Sequence, residues 1–254
     1  MRNVVITGAG AGLGRTLCET FRAAGDRVHI CDVAEQADLP WLSAYSAEQV
    51  RYTKANVGNS SSLRAFFDDI AMWMPHVDVL VNNVGISGPR SVLELVEDSQ
   101  WSEIIDVNLL GAIRCISNVL PGMKVRKAGV IANVSSSSVG TNPVNRAPYV
   151  VTKAAVEALT KSVAREAGPF NIRCNALRPG MMNNERMTRI LQRVAADAGI
   201  SVDEVRKQEL QFVSMRSMVE MQEVAQMILY LTSEHAVHVT GQVISVDGNH
   251  EWES

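Results

Sequence analysis

The stretch "NVVITGAGAGLGR" (3–15) decides the fold, because it joins a strand pattern to a helix pattern through a cluster of glycines. Its Val and Ile run is typical of a strand that is buried on both faces. Gly8, Gly12 and Gly14 then form G-x-x-x-G-x-G around Leu13. Glycines at such a turn let a pyrophosphate approach backbone N–H groups at the positive end of a helix. The stretch therefore predicts a dinucleotide-binding turn at the start of a βαβ unit.

An acidic residue ends the next strand pattern, "RVHICD" (27–32). A carboxylate at the position of Asp32 accepts hydrogen bonds from the ribose hydroxyls of the adenosine half and repels a 2′-phosphate. Arg15 follows the glycines and argues only weakly for that phosphate, and no basic residue stands among Cys31, Val33 and Ala34. We therefore expect NAD rather than NADP.

Further Val- and Ile-rich runs alternate along the chain with apolar residues at helical spacing. The strand patterns lie at 3–8, 27–32, 50–57, 77–83, 129–135, 171–177 and 242–248. The helical patterns lie at 14–24, 61–74, 100–120, 147–159 and 223–233. This alternation predicts an α/β fold of the Rossmann type, a doubly wound parallel sheet of about seven strands with helices on both faces. No linker or repeat interrupts it, so we expect a single domain over 1–254.

Residues 181–215 depart from the alternation, since they contain the patterns of about two amphipathic helices and no strand. An insert at the carboxyl edge of a parallel sheet lies over the ligand crevice. We therefore expect 181–215 to form a small helical lid over the substrate.

Composition and charge exclude several classes of protein. The chain has 254 residues, of which 46% are hydrophobic and 20% charged, and its net charge is −3. That balance offers no basic surface for nucleic acid or for an anionic membrane. No apolar stretch is expected to reach the ~18 residues of a membrane span. The N-terminus runs directly into a strand pattern without a signal peptide, so we expect a cytoplasmic protein.

Cysteine and histidine usage argues against disulfides and metals. The four cysteines are scattered without a C-x-x-C motif, and we expect reduced, buried thiols: Cys18, Cys31, Cys115 and Cys174. His235 and His238 are close in sequence, but no further ligand completes a metal set, so we expect no metal site.

The helical pattern "APYVVTKAAVEAL" (147–159) carries a phenol and an ammonium. Pro148 suits the first helical turn, and Tyr149 and Lys153 at i and i+4 share one face. Taken alone, this pair fits equally a tyrosine ring packed on a lysine stem at the surface. Its meaning depends on the other motifs.

Together these motifs resemble the short-chain dehydrogenase/reductase family, in its classical subdivision, over essentially the whole chain. The resemblance rests on a serine after the fifth strand pattern and on "TGAGAGLG" (7–14), "NNVG" (82–85), "DVNLLG" (106–111), "YVVTK" (149–153), "RPG" (178–180) and "TGQVISVDG" (240–248). It implies an enzyme that transfers a hydride to or from a nicotinamide cofactor.

The resemblance implies a catalytic role for Tyr149 as the general acid/base. A free phenol has a pKa near ~10, and the ammonium of Lys153 favours the phenolate and moves that pKa toward the working range. Lys153 would also hold the nicotinamide ribose. Asn108, a poor residue for a helix interior, would bend its helix so that a water links its carbonyl to Lys153.

The catalytic serine lies in the run 135–138, "SSSS". The family spacing counted back from Tyr149 selects Ser136, whereas counting back from Gly140 selects Ser137. We favour Ser136, whose hydroxyl would orient the substrate oxygen and stabilise the developing alkoxide.

The resemblance also places the cofactor contacts, at Gly8, Gly12, Leu13, Gly14, Asp32, Asn56, Val57, Asn83, Gly85, Tyr149, Lys153, Pro179, Gly180 and Met182. Three departures stand out. Asn56 replaces the more usual Asp and keeps an acceptor, and Val84 replaces an Ala. "MMNNE" (181–185) lacks the Thr or Ser that reaches the carboxamide, so we expect Asn183 or Asn184 to replace it.

These expectations describe an NAD-dependent oxidoreductase that interconverts a secondary alcohol and a ketone. Ser136, Tyr149, Asn142 and Arg146 are the expected substrate contacts, and a small polar substrate (polyol, sugar or hydroxy acid) is favoured. Arg146 is equally consistent with a solvated loop or a surface ion pair. The alternatives are a 3-oxoacyl thioester reductase of the acyl-carrier-protein type and a catalytically silent NAD-binding regulator.

Two helical patterns carry more apolar surface than one sheet contact uses. They lie at 100–120 and 154–164. A closed symmetric assembly would bury the surplus, so we expect a homotetramer or homodimer.

Overall fold

A computed structural model describes residues 1–251, in which seven strands form one parallel sheet. The strands are β1 Asn3–Thr7, β2 Arg27–Asp32, β3 Val50–Lys54, β4 Val79–Asn82, β5 Gly129–Val134, β6 Ile172–Pro179 and β7 Val243–Val246. Their order is β3-β2-β1-β4-β5-β6-β7 and every pairing is parallel. The order reverses between β1 and β4, which places the ligand crevice at the carboxyl ends of these strands.

Nine α-helices are described beside the sheet. They are α1 Gly12–Ala23, α2 Ser60–Trp73, α3 Asp98–Ile105, α4 Gly111–Arg126, α5 Ser138–Thr141, α6 Ala147–Ala167, α7 Glu185–Ala198, α8 Val202–Leu210 and α9 Met221–Leu231. The alternation read from the sequence is confirmed. The short helix α5, which precedes α6, has no counterpart among the predicted elements.

Two hydrophobic layers cover opposite faces of the sheet. Successive residues of β1 alternate between them, because Val4 and Ile6 belong to one cluster and Val5 to the other. The first cluster contains the apolar faces of α1 and α9, and the second those of α2, α4 and α6. Since the five residues of β1 are all buried, the strand has the doubly covered character that its Val and Ile run predicts. The Rossmann-type fold class is confirmed.

The four cysteines are free and buried within these layers, as predicted. Burial raises the pKa of the Cys18 and Cys115 thiols to about 12. Thiols of this kind pack as small apolar side chains and are unreactive.

The continuous helical segment 98–126 corrects the expectation that no stretch reaches the length of a membrane span. It has 29 residues and a mean hydropathy of 1.4, so by length and composition alone it is able to cross a membrane. Ile104, Cys115, Ile116, Val119 and Met123 are buried in the protein itself. This packing is that of a core helix, which passes the same test of length and composition.

Residues 181–215 contain two helices, α7 and α8, as their amphipathic patterns predict. Leu191 and Ala195 of α7 pack against Val205 of α8 in a small cluster of their own. Asn184 and Ser201 cap the two helices by accepting hydrogen bonds from backbone N–H groups of the first turn. The segment is thus a helical hairpin after β6, and its role as a lid stays a prediction.

Candidate active site

The glycine turn between β1 and α1 has the close geometry that a dinucleotide requires. Gly8 and Gly12 have φ of 67° and 54°, in the left-handed region that favours glycine. A Cβ built on Gly14 would lie 2.1 Å from the carbonyl oxygen of Gly8, so only glycine lets the helix begin this close to the turn. A Cβ on Gly12 would meet nothing within 4 Å, which leaves open space above the helix N-terminus for a ligand.

Asp32 is fixed beside this turn. Its Oδ2 accepts a hydrogen bond from the Gly10 N–H at 2.8 Å, and its Oδ1 accepts one from the Val33 N–H at 2.8 Å. The carboxylate therefore lies against the glycine turn, where it suits a ribose diol.

Two cations lie near Asp32, and each has a carboxylate partner. Arg15 pairs with Glu19 at 2.8 Å, and its guanidinium lies 5.4 Å from the Trp41 ring centroid. Lys54, which is in register with Asp32 on the neighbouring strand, pairs with Glu35. Sequence reasoning missed Lys54, because the register of β2 and β3 is needed to place it.

The residues after β3 and β4 border the same crevice. The side chain of Asn83 donates to the carbonyl oxygens of Thr7 and Gly8, at 3.1 and 2.8 Å, and so ties β4 to the glycine turn. Val84 packs on that turn, since a Cβ on Gly8 would lie 2.9 Å from its Cγ2. Asn56 accepts from the Gly58 N–H at 2.9 Å and is exposed, whereas Val57 is buried. These placements suit the adenine and ribose contacts that the resemblance implies.

Lys153 is buried under the crevice with its ammonium held in one position. Its Nζ donates to the carbonyl oxygen of Val134 at 2.8 Å, and a Cβ on Gly85 would lie 2.9 Å from it. Burial lowers the pKa of Lys153; the Tyr149 hydroxyl raises that pKa, and the charge of Arg186 lowers it. The positive charge thus interacts with the phenol one helical turn earlier on α6.

Asn108 lies in a π-helical turn, Asp106–Leu110, between α3 and α4. Its side chain exchanges hydrogen bonds with Ile86 and also donates to Thr152 Oγ1 at 3.1 Å. Thr152 in turn donates to the Tyr149 carbonyl oxygen at 2.9 Å. Insertions of this kind break the i→i−4 ladder and are frequent at functional sites. The regular α-helical pattern is thus interrupted at Asn108, and Thr152, which the sequence reasoning missed, links Asn108 to α6.

A small internal cavity of about 10 Å³ adjoins Asn108 and Lys153. Its polar lining residues are Thr7, Asn82, Asn108 and Lys153. A volume of this size with several polar partners suffices for about one water molecule. The water link between Asn108 and Lys153 stays a prediction, with which the position of this cavity agrees.

The serine run divides into hydroxyls with different surroundings. Ser135 is buried and donates to Glu157 Oε1 at 2.6 Å, and Glu157 is also paired with Arg178 at 2.7 Å. Ser137 is only 7% exposed and precedes α5. Ser136 is half-buried, and its Oγ accepts from the Ser138 N–H at 3.2 Å, which leaves its own proton to donate. This arrangement favours Ser136 as the catalytic serine. The family spacing counted back from Tyr149 selects the same residue.

Arg146 precedes α6 and stacks on the phenol. Its guanidinium carbon lies 4.6 Å from the Tyr149 ring centroid, and its Nη1 donates to the Ser87 carbonyl oxygen at 3.0 Å. Asn142 has φ of 44° at the end of α5 and donates to its own turn at 3.5 Å. Arg146 is therefore beside the reacting group, whereas Asn142 already has a structural role.

The loop after β6 contains the residues that were expected to contact the carboxamide of the cofactor. Pro179 accepts from the Ser137 N–H at 3.0 Å, and Gly180 packs on Asp247, since a Cβ on Gly180 would lie 2.6 Å from the Asp247 Cα. Met182 pairs with Val219 and packs against the core. Asn183 donates to Glu220 at 2.8 Å, and Asn184 caps α7. Each of these bonds uses one end of the amide, Nδ2 of Asn183 and Oδ1 of Asn184, so a carboxamide contact by either residue stays a prediction.

Within residues 1–251, no three His, Cys, Asp or Glu side chains form a group suited to a metal ion.

Comparison with known proteins agrees with the family resemblance of the sequence motifs. A family model described as enoyl-(acyl carrier protein) reductase matches residues 8–249. A probable galactose dehydrogenase, GalD, of Rhizobium meliloti (strain 1021) is 32% identical over 250 residues, 97% of this chain and 94% of that protein. The 3-oxoacyl-[acyl-carrier-protein] reductase FabG of Staphylococcus epidermidis (strain ATCC 35984) is 31% identical over 252 residues, 97% of this chain and 98% of FabG.

Solved structures share this fold. The crystal structure of an actinorhodin polyketide ketoreductase with NADPH superposes with a TM-score of 0.90 at 27% identity, over 97% of this chain and 96% of that one. Fold and site thus define an oxidoreductase that binds a nicotinamide dinucleotide. The chain belongs to the short-chain dehydrogenase/reductase family.

Proposed function

We propose that this protein is an NAD-dependent dehydrogenase that interconverts a small polar secondary alcohol and its ketone. The observation that carries the proposal is the buried ammonium of Lys153, fixed by Val134 at 2.8 Å, one helical turn from Tyr149. A buried cation needs a compensating partner, and an ionised phenol supplies one.

NAD, when bound, supplies the acceptor for the hydride that leaves the carbinol carbon. Tyr149 takes the hydroxyl proton, and Lys153 stabilises its phenolate. Ser136 donates a hydrogen bond to the substrate oxygen and orients it. Lys153 and a water in the cavity of about 10 Å³ beside Asn108 would carry the proton onward from Tyr149.

The choice of NAD over NADP is supported by the surroundings of Asp32. Its carboxylate lies on the glycine turn, and the two nearby cations already have carboxylate partners: Arg15 with Glu19 and Lys54 with Glu35. A 2′-phosphate at this place would meet a negative charge and no free cation among these residues.

A small polar substrate is supported by Arg146, whose guanidinium stacks on the reacting phenol. The similarity to the probable galactose dehydrogenase agrees with a polar hydroxy substrate. Reduction of a 3-oxoacyl thioester is the second candidate, supported by the similarity to FabG. The silent-regulator alternative is disfavoured, because the four catalytic residue types are all present: Asn108, Ser136, Tyr149 and Lys153.

An activity panel tests the proposal. The enzyme is incubated with NAD or NADP and with polyols, sugars, hydroxy acids and aliphatic alcohols, and reduced cofactor is measured. A 3-oxoacyl thioester with NADH or NADPH forms the opposing arm. We expect NAD reduction with at least one polar secondary alcohol and a preference for NAD of roughly tenfold in kcat/KM. Faster turnover of the thioester with NADPH would favour the second candidate instead.

We also propose a cytoplasmic, symmetric homo-oligomer. Support for the oligomer comes from exposed apolar side chains on the helices that contain the two expected faces. Val125 of α4 is 86% exposed and Val151 of α6 is 52% exposed, although both lie outside the predicted ranges 100–120 and 154–164. Burial of such side chains against a second copy is a common basis for closed symmetric assembly.

A further inference from the structure

Two arginines from distant parts of the chain meet at the mouth of the site. Arg146 donates from Nη1 to the Ser87 carbonyl oxygen at 3.0 Å, and Arg186 of the lid contacts the Ser87 hydroxyl through Nη2. Ser87 thus connects the loop before α6, the loop after β4 and the first turn of α7. The Arg146 guanidinium stacks on the Tyr149 ring, and Arg186, which is exposed, is close enough for its charge to act on Arg146.

Within the part of the chain that the structure describes, these arginines have no carboxylate partner. Within residues 1–251, no Asp or Glu oxygen lies within 4.0 Å of a charged nitrogen of Arg146, Arg186 or the neighbouring Arg90. A guanidinium carries five N–H donors, and Arg146 and Arg186 each use one on Ser87. Most of their donors therefore remain for a ligand.

The positive charges around Arg146 repel one another. Burial lowers the pKa of Arg146, the charge of Arg90 lowers it further, the Tyr149 hydroxyl raises it and the charge of Arg186 lowers it. Like charges held together at a half-buried position destabilise the protein unless an anion neutralises them. Arg193, on the same helix as Arg186, has Asp197 at 3.9 Å and is therefore a carboxylate-paired arginine with which Arg186 can be compared.

We propose that Arg146 and Arg186 form an oxyanion subsite, and that the substrate is a small hydroxy acid with a carboxylate, sulfonate or phosphate a few bonds from its carbinol. This inference rests on the proposed function and narrows its substrate class. Planar guanidinium groups bind such oxyanions with paired hydrogen bonds. Because Arg146 stacks on Tyr149, an anion bound to it brings the adjacent carbinol to the phenol.

The position of Arg146 argues for a small substrate rather than an acidic carrier protein. Its guanidinium is half-buried and lies 4.6 Å from the Tyr149 ring centroid, so a group that binds it has to enter the site beside the phenol. A neutral sugar would enter but would leave the two charges uncompensated. In the reaction, the hydrogen on the carbinol carbon leaves with both electrons of its C–H bond as a hydride, which NAD accepts. The O–H proton goes to Tyr149 and the C=O bond forms. The oxyanion group is unchanged.

The kinetic test compares matched substrates that share one carbinol, namely a short hydroxy acid and its amide. We expect kcat/KM for the acid to exceed that of the amide by roughly a hundredfold. Arg186→Gln should raise KM for the acid by roughly tenfold. It should change KM for the amide by less than about threefold and leave the Kd of NAD unchanged. Arg193→Gln, the same charge change on the same helix, should behave as the wild type.

A binding test separates the subsite from the activity. The NAD-bound enzyme is titrated with propionate, ethanesulfonate and ethyl phosphate, which cannot be oxidised at the site. Saturable binding of at least one, lost in Arg186→Gln and kept in Arg193→Gln, supports the subsite even if no alcohol tested is turned over, an outcome that would count against the proposed function alone. No binding, or equal binding in the two variants, overturns the subsite. Turnover of neutral alcohols but not acids would do so too, while leaving the proposed function in place.

Discussion

Asn108 and Ile86 exchange two hydrogen bonds, Oδ1 accepting from the Ile86 N–H at 2.8 Å and Nδ2 donating to the Ile86 carbonyl oxygen at 3.0 Å. The pair joins the π-helical turn to the loop after β4, next to Gly85 and Lys153. A side chain 22 residues away in sequence thereby satisfies both backbone groups of a half-buried loop residue.

Asn108→Ala should therefore affect stability and activity together. It leaves the Ile86 N–H and carbonyl without these partners, and we expect the free energy of unfolding to fall by about 2–4 kcal/mol in urea titrations. With the water link disturbed, kcat should fall by roughly tenfold or more. Asn118→Ala on α4 is the matched control, since Asn118 is exposed and bonds only within its own helix. Equal effects of the two variants would contradict this role.

Asp32→Ala should weaken the discrimination between NAD and NADP. Removal of the carboxylate abolishes both the ribose contact and the repulsion of a 2′-phosphate, so the NAD-to-NADP ratio of kcat/KM should fall by roughly tenfold. Steady-state kinetics with each cofactor measures the ratio. Asp38→Ala, an exposed neighbour with the same charge change, should leave it within about twofold. An unchanged ratio in Asp32→Ala would remove the basis for the cofactor assignment.

Ser136→Ala and Ser137→Ala should differ sharply. Loss of the hydroxyl that orients the substrate oxygen is expected to lower kcat by roughly a hundredfold in Ser136→Ala. Ser137 contributes its backbone N–H to Pro179, which alanine retains, so Ser137→Ala should stay within about threefold of the wild type. The reverse ranking would transfer the catalytic role to Ser137.

His29 should make the protein acid-sensitive below neutral pH. Burial lowers its pKa from 6.5 to about 4; the charge of Asp69 raises that pKa, and those of Arg51 and Arg27 lower it. Between these values the unfolded chain binds a proton that the folded chain does not, so stability is complete above pH 6.5 and is lost as pH falls toward 4. The loss attributable to this residue should be on the order of 3 kcal/mol.

Chemical unfolding across that pH range, compared between the wild type and His29→Gln, checks the effect. The variant should show a flatter dependence, because it lacks the titrating ring. His238→Gln, which changes an exposed histidine, should follow the wild type. Parallel curves for all three proteins would show that other groups govern the acid response.

Local patterns account for the elements of the fold and the central catalytic pair. Val and Ile runs such as that of β1 indicate burial on both faces of the sheet. Tyr149 and Lys153 share one face of α6 because of helical spacing alone. The N-cap role of Asn184 was also available from its place before Glu185, although we expected a cofactor contact there.

The remaining features depend on contacts between distant residues. The π-helical turn follows from the bonds of Asn108 to Ile86 and Thr152, and no local pattern specifies the partners. Arg186 and Ser87 are 99 residues apart, so their contact requires the placement of the lid. Lys54 approaches Asp32 only through the register of β2 and β3.

The activity of Tyr149→Phe, measured together with its affinity for NAD, tests the central claim most directly. The variant keeps the ring that Arg146 stacks on and removes only the hydroxyl that takes the substrate proton. We predict a loss of kcat of roughly a thousandfold or more, with the Kd of NAD within about threefold of the wild type by fluorescence titration. A variant that binds NAD normally and retains more than about a tenth of the wild-type kcat would contradict the assignment of Tyr149 as the general acid/base.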